Sequence, residues 1–142
     1  MYDAVVAGGS ISGLLAAREI AKNGHSVLVL EEGFEVGSPE HCGGLVSENA
    51  LKELGIEPSP KTFDSKVECA KIFSPEGKEI TINSKRQKII VINRRELDKQ
   101  AARQARDNGA EISVKTSFQE KTNNQIRTSN GNIECKFFVD CR

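Results

Sequence analysis

The chain has no tryptophan, one tyrosine and six phenylalanines, and its twenty basic residues are cancelled by twenty acidic ones. A neutral chain with few aromatic rings lacks both the cationic surface and the stacking platforms that nucleic acid requires, so no nucleic-acid partner is expected. No uncharged run approaches the roughly 20 residues of a membrane span. The N-terminus enters an apolar stretch directly, without the basic and apolar segments of a signal peptide. Four cysteines (Cys42, Cys69, Cys135, Cys141) are scattered without a Cys-x-x-Cys pair. That spacing argues against a metal site and suits a reduced, cytoplasmic protein. No internal repeat or low-complexity tract is visible. At 142 residues the chain has the length of one domain and can hide about two-thirds of its unfolded surface.

What is present is a strand, a glycine turn, a helix, a second strand and an acid. Ala4 to Ala7 form a short buried strand. Gly8 permits the sharp exit, Gly9 keeps the turn pliable, and Gly13 lets the following helix lie close on the sheet. Backbone N–H groups at the start of that helix then face a pyrophosphate. Glu31 closes the second apolar run eighteen positions after Gly13, where an acid is needed to accept from ribose hydroxyls. Glu32 is the neighbour that takes the role if the register slips. Ser10 stands where the Gly-x-Gly-x-x-Gly pattern has its second glycine. Its hydroxyl can donate to phosphate, so the departure changes the fit without removing the site.

The remaining pattern places a helix over Ile11 to Asn23, with Ile11, Leu14, Leu15 and Ile20 on its packing face, and a stop at Asn23-Gly24. The continuous apolar run from Val27 to Leu30 suits a parallel strand covered on both faces. Gly33 to Gly44 is a glycine-rich loop. Ser47 caps a short helix that runs to Leu54 and ends at Gly55. Val67 to Ser74 and Glu79 to Ile82 form a hairpin through Pro75-Glu76-Gly77. Lys88 to Asn93 is a strand and Arg94 to Asn108 a helix, with Leu97, Ala101 and Ala105 on one face. Glu111 to Val114 is a short strand. Gln125 to Ser129 and Ile133 to Val139 pair through Asn130-Gly131. Cys69, Cys135 and Cys141 are expected to pack strands, and Lys85-Arg86-Gln87-Lys88 reads as a solvated turn.

A plain nicotinamide-binding domain continues β-α-β-α-β. Here a glycine-rich loop, a short helix and a β-hairpin intervene, a layout that suits the extended FAD molecule. The fold class expected is α/β, a Rossmann-like FAD-binding fold of the glutathione-reductase type with an inserted β-hairpin, incomplete at its C-terminus. The last apolar run, Phe137-Phe138-Val139, leads only to Asp140-Cys141-Arg142, so residues 1–142 are read as the N-terminal portion of an FAD/NAD(P)-binding domain whose substrate domain is absent.

At four places the chain resembles the geranylgeranyl reductases, above all the archaeal kind acting on digeranylgeranylglycerophospholipids. These are Gly8 to Gly13, the Gly37-Ser38-Pro39-Glu40-His41-Cys42-Gly43 loop, Arg94-Arg95-Glu96-Leu97-Asp98, and Val139-Asp140. Family members have Pro-Ala or Pro-Gly where this chain has Ile11-Ser12, and Asp-Ala-Thr-Gly where it ends Asp-Cys-Arg. The resemblance implies FAD as cofactor, with Ser12 and Gly13 at the phosphates and Glu31 on the ribose. It implies Cys42, Gly43 and Leu45 along the flavin, Arg94 at the pyrophosphate and the Phe118 backbone at adenine. Cys42 is the candidate catalytic residue, a proton donor to the alkene carbon opposite the hydride site; packing of the loop is its other reading.

For the parent protein the resemblance implies reduction of isoprenoid C=C bonds in lipid biosynthesis. Its partners would be an isoprenoid lipid and an electron donor such as NAD(P)H or ferredoxin, with peripheral membrane contact. Two alternatives stand beside it: an FAD-dependent monooxygenase or halogenase, and a non-catalytic nucleotide- or prenyl-binding protein on the same fold. The isolated chain is expected to be inactive and to retain FAD weakly.

Overall fold

The computed structural model describes residues 1–39, 42–83 and 88–142. In chain order the elements are β1 (Tyr2–Ala7), α1 (Ile11–Lys22), β2 (Val27–Leu30), β3 (Leu45–Ser47), α2 (Glu48–Glu53), β4 (Phe63–Val67), β5 (Cys69–Phe73), β6 (Glu79–Asn83), β7 (Ile89–Ile92), α3 (Arg94–Asp107), β8 (Glu111–Ser113), β9 (Phe118–Thr122), β10 (Gln125–Thr128) and β11 (Gly131–Asp140). They fall into two compact units, residues 1–40 with 95–142, and residues 41–94.

The first unit is built on a six-stranded sheet of order β8-β2-β1-β11-β10-β9. β1 runs parallel to both β2 and β11, and β2 parallel to β8. Parallel neighbours need a crossover, which α1 supplies between β1 and β2. The apolar runs of β1 and β2 are covered on both faces, as parallel strands require. On one face Ala4, Val6, Val27 and Val29 pack with Leu14 and Ala17 of α1 and with Ala101, Ala102 and Ala105 of α3. The alanines keep both helices near the sheet. On the other face Val5, Leu28 and Leu30 pack with Ile126 and Cys135, joined by Phe118 and Phe138. β9, β10 and the first part of β11 are antiparallel to one another. Their apolar side chains thus cover the face that the helices leave open.

Glycine is required where α1 leaves the sheet. A Cβ on Gly13 would lie 2.0 Å from the Gly8 carbonyl oxygen and 3.2 Å from Val6 Cγ1. Only hydrogen fits between the first turn of α1 and the end of β1. The base of the sheet is held by polar contacts around Asp3. Ser26 donates to Asp3 Oδ2 from both its amide and its hydroxyl, each at 2.9 Å, and Lys136 Nζ donates to Oδ1 at 2.7 Å. These bonds, led by that from Lys136, hold the Asp3 carboxyl below the usual carboxylate range.

The second unit contains a three-stranded antiparallel sheet of order β3-β7-β4 and the separate hairpin β5-β6. Leu51, Ile56, Ile90 and Ile92 are its buried apolar side chains. Ser47 caps α2 by accepting from the Ala50 amide at 3.4 Å.

The structure corrects the sequence reading in several places. β3, β4 and β9 were not expected as strands. β3 has three residues, and the sequences FDSKV and FQEKT of β4 and β9 lie almost wholly exposed. With little to bury, they carry no apolar alternation and are defined by their backbone partners. β11 starts earlier than expected because Asn130-Gly131 is followed at once by ladder pairing. Cys135 and Cys141 pack as expected, but Cys69 is exposed. The Glu40-His41 step and residues 85–87 of the basic cluster lie outside the described residues.

Gly13→Ala is expected to cost about 1–3 kcal/mol or more through overpacking. Gly43→Ala, where an added Cβ meets nothing within 4 Å, should stay within about 0.5 kcal/mol; urea titration of both variants checks the contrast. The Asp3 carboxyl is depressed on folding, so its stabilisation is present above the ordinary value of 3.8 and fades as pH falls below it. Asp3→Asn should therefore flatten the acid limb of the stability profile in thermal melts.

Candidate cofactor site

The glycine turn sits at the C-terminal end of β1, beside the ends of β2 and β11. The Gly8 amide donates to the Leu30 carbonyl at 2.9 Å. Gly8 has φ +109°, and a Cβ there would lie 2.7 Å from the Cys141 carbonyl oxygen. Two reasons therefore demand glycine at this position, the backbone angle and the approach of β11.

Ser10 precedes α1 in extended conformation, with φ −83° and ψ 176°, and its side chain caps no helix amide. Its Oγ lies 3.3 Å from Ser12 Oγ instead. Leu14 is the first α1 amide to bond back, to the Ser10 carbonyl at 3.0 Å. By helix geometry the amides of Ile11, Ser12 and Gly13 have no acceptor within the helix. No acidic residue lies in this first turn, so no side chain of the helix itself neutralises the positive end of its dipole. That is the arrangement an anionic ligand needs. Ser12 is exposed, Ile11 is half-buried against the helix-side core, and Gly13 is buried.

Glu31 is held before any ligand arrives. The Gly9 amide donates to Glu31 Oε2 at 2.9 Å and the Gly33 amide to Oε1 at 2.7 Å. Its own backbone is fixed on both sides: Glu31 N–H donates to the Ser113 carbonyl, and Thr116 N–H donates to the Glu31 carbonyl, both at 2.9 Å. Each carboxylate oxygen takes one amide and retains lone-pair capacity for a hydroxyl donor. The fit is close, since a Cβ on Gly9 would lie 2.6 Å from Oε2 and one on Gly33 2.9 Å from Oε1. Gly33 was not singled out in the sequence; the signal was a glycine two positions after the acid. Glu32 follows directly and is near enough to the Arg142 guanidinium to favour its charge.

Phe118 opens β9. Its ring stacks on Phe138 at 4.7 Å between centroids, and the Arg142 guanidinium lies 4.6 Å from the Phe118 ring centre. Arg142 also pairs with Asp140 at 2.8 Å, and these contacts hold the Asp140 carboxyl down to about 2. The loop after Glu32 is tied to α3: Glu35 pairs with Arg95, and with Lys99 at 3.0 Å. Bonding to Lys99 first of all holds the Glu35 carboxyl below the usual range. Arg95 thus anchors this loop.

Cys42, Gly43, Leu45 and Arg94 belong to the second unit. Cys42 is exposed, Leu45 is 63% exposed at the start of β3, and Arg94 is the first residue of α3. Gly44, which sequence reasoning passed over, has φ +73°, and a Cβ there would lie 2.0 Å from the Ile92 carbonyl oxygen. It seats the loop against β7. The first unit therefore brings together Gly8, Gly9, Ser10, Ile11, Ser12, Gly13 and Glu31, with Glu32 next in sequence; Phe118 opens the far edge strand, two residues past the Thr116 amide that bonds the Glu31 carbonyl. Among the described residues no cluster of His, Cys, Asp and Glu could hold a metal ion.

Comparison with known proteins shows what this motif is similar to. Residues 6–73 match the model of the NAD(P)-binding Rossmann-like domain. Over 118 residues the chain is 36% identical to digeranylgeranylglycerophospholipid reductase of Methanocella arvoryzae, and over 117 residues 32% identical to that of Methanocaldococcus jannaschii. Over those stretches the chain is similar to these reductases. The aligned stretches cover 81% and 82% of this chain but 30% and 29% of the two reductases, so it spans under a third of their length. Among solved structures, a geranylgeranyl bacteriochlorophyll reductase-like protein from Thermoplasma acidophilum superposes with a TM-score of 0.85 at 30% identity, over 98% of this chain and 38% of that one. The myxobacterial chondrochloren halogenase, an FAD-dependent halogenase, gives 0.78 at 17% identity over 98% of this chain and 36% of its own. At that identity the likeness to the halogenase is one of fold. The fold is thus the Rossmann-like α/β architecture shared by these oxidoreductases.

Replacing Glu31 by glutamine puts an NH2 donor against one of the two amides that hold it. The Glu31→Gln protein should lose about 1–3 kcal/mol from the unpaired amide, while Glu32→Gln should lose less than about 0.5 kcal/mol; paired denaturation curves check the difference.

Proposed function

We propose that the chain is the nucleotide-binding portion of an FAD-dependent reductase of C=C bonds in isoprenoid lipids. The observation that carries the cofactor reading is the Glu31 carboxylate, aligned by the Gly9 and Gly33 amides beside a helix start without an acid. This donor set fits an adenosine diphosphate group. The free amides at Ile11, Ser12 and Gly13 suit the pyrophosphate, and Glu31 suits the ribose hydroxyls. Gly13 lets the helix start lie close on β1 and Gly9 lets the Glu31 carboxylate approach the turn, and Ser10 can add a hydroxyl donor. Glu32 is the acid next in sequence, and in this reading the Phe118 backbone, two residues past the Thr116 amide that bonds Glu31, would meet adenine.

The assignment of Cys42, Gly43, Leu45 and Arg94 to the same cofactor rests on the likeness of their motifs to those of the reductases. FAD would supply hydride-transfer chemistry when bound. The protein's own part is to hold the nucleotide, keep water from the ring and, at the Cys42 thiol, hold a proton for the second alkene carbon. Isoprenoid lipid and an electron donor are the partners of the whole protein in this reading. Among the described residues no helix is long and apolar enough to cross a membrane; peripheral contact with the lipid substrate is part of this reading. The reductase reading is preferred to the halogenase one because the related reductases are matched at twice the identity or nearly so.

Titration with FAD under equilibrium dialysis tests the site. The isolated chain should bind weakly and reduce no lipid by itself, and Glu31→Gln should weaken FAD and ADP alike by about tenfold, or about 1.4 kcal/mol. Equal binding by wild type and Glu31→Gln would remove Glu31 from the site. A relatives-length protein should saturate a geranylgeranyl lipid without oxygen; dependence on oxygen would favour the monooxygenase alternative.

A further inference from the structure

A cavity of about 390 Å³ lies in the first unit, among the loop after Glu32, α3 and the residue that follows β8. Pockets for small molecules begin at about this size. Its deeper lining is apolar: Val36 and Ala102 are buried and Val114 is half-buried. Lys99, Arg103 and Arg106 supply its cations. They stand at i, i+4 and i+7 of α3 and so share one helix face. Phe34 also lines the cavity, with 82% of its surface exposed, and Lys115 Nζ lies 5.2 Å from the centre of its ring. Lys99 is committed to Glu35 at 3.0 Å. Arg103 and Arg106 are exposed and make no ion pair among the described residues. On and beside the lining, Arg95, Lys99, Arg103, Arg106 and Lys115 stand against Glu35, Glu96 and Asp107, so cations are in excess. Glu32 lies by the Arg142 guanidinium and Glu111 accepts from the Tyr2 hydroxyl, so each of these acids has a partner elsewhere.

We propose that this cavity binds a nucleotide through a terminal phosphate monoester held by Arg103 and Arg106, with the base against Phe34. Two unpaired guanidinium forks one helical turn apart suit a group with two charges and three oxygens, whereas a carboxylate would occupy one fork. Glu35 is the one other polar side chain of the lining, and Arg95 and Lys99 already hold it. A sugar phosphate would leave its hydroxyls unbonded on such a lining. A flat heterocycle would lie on the apolar part and stack on the Phe34 ring, with its ribose in water. A hollow of this size takes one small molecule, and a bilayer would touch only its rim. The site is a second nucleotide site beside the Glu31 cradle, and it stands independently of the reductase reading.

Adenosine 2′-monophosphate is the probe. It carries a terminal monoester, and with its ribose diol blocked and no diphosphate it is a poor ligand for Glu31 and the α1 amides. Equilibrium dialysis against the full chain should show the probe bound about tenfold more tightly than adenosine or inorganic phosphate. Arg103→Ala/Arg106→Ala should weaken the probe about tenfold. Arg103→Lys/Arg106→Lys keeps the charge, loses the forks and should weaken it several-fold. Phe34→Ala should weaken the probe and leave inorganic phosphate unchanged. These three positions are exposed, so the melting temperatures of all these variants should match the wild type. Glu31→Gln should leave the probe unchanged, and FAD, which has no terminal phosphate, should bind the alanine pair as it binds the wild type.

Equal binding of the probe by the wild type and the alanine pair would overturn the proposal. So would lysines that serve as well as the arginines, or inorganic phosphate bound as tightly as the probe. A chain that ignores the probe but sediments with phosphatidylglycerol vesicles, and loses them in the alanine pair, would make this a membrane contact instead. The two nucleotide sites fail separately. A chain that takes the probe and refuses FAD would sink the cofactor reading alone, and one that takes FAD and refuses the probe would sink only this cavity.

Discussion

The approach of α1 to the end of β1 governs everything else in the first unit. Gly13 faces the Gly8 carbonyl with room for hydrogen alone. That contact sets where the helix starts, and so where its unbonded amides point. It also places Gly9 against Glu31, so the position of the acid follows from the packing of a helix on a strand. The geometry of the candidate site is a consequence of core geometry: the alanines of α1 and α3 and the valines of β1 and β2 set how closely helix and sheet pack around the turn.

The relatives and the geometry address different halves of the functional question. The bonds around Glu31 say what kind of group the first unit can hold. They say nothing of which bond is reduced. The chemistry of isoprenoid lipids enters through the reductases, which this chain matches at 32–36% identity over less than a third of their length. The halogenase shows how far the same scaffold reaches into other chemistry, which is expected when a fold supplies a nucleotide cradle and the reaction is set elsewhere.

Legibility in the sequence followed burial. β1, α1, β2 and α3 were readable because each buries an unbroken run or a regular face, as in Val27 to Leu30 or Leu97, Ala101 and Ala105. The hairpin turns were readable from Pro75-Glu76-Gly77 and Asn130-Gly131. β4 and β9 were not, because exposed strands such as FQEKT obey their neighbours and not their own side chains. At the site, the glycines and Glu31 could be picked out by spacing. Gly33 and Gly44 could not, since their reasons are a carboxylate oxygen and the Ile92 carbonyl, each brought near only by the fold. Arg95 was named only within the Arg94 to Asp98 motif, and its pairing with Glu35 across sixty positions was invisible there.

The place of β11 in the sheet has a consequence for how the protein is made. This strand lies between β1 and β10, with Val6 opposite Val139 and Ala7 opposite Asp140. β1 therefore keeps one edge open until β11 has been made. Until then a flat apolar strand stands open to other chains, the situation in which loop-closure entropy is large and mispairing competes. The sheet thus closes through a pairing distant in sequence, so its folding is non-local.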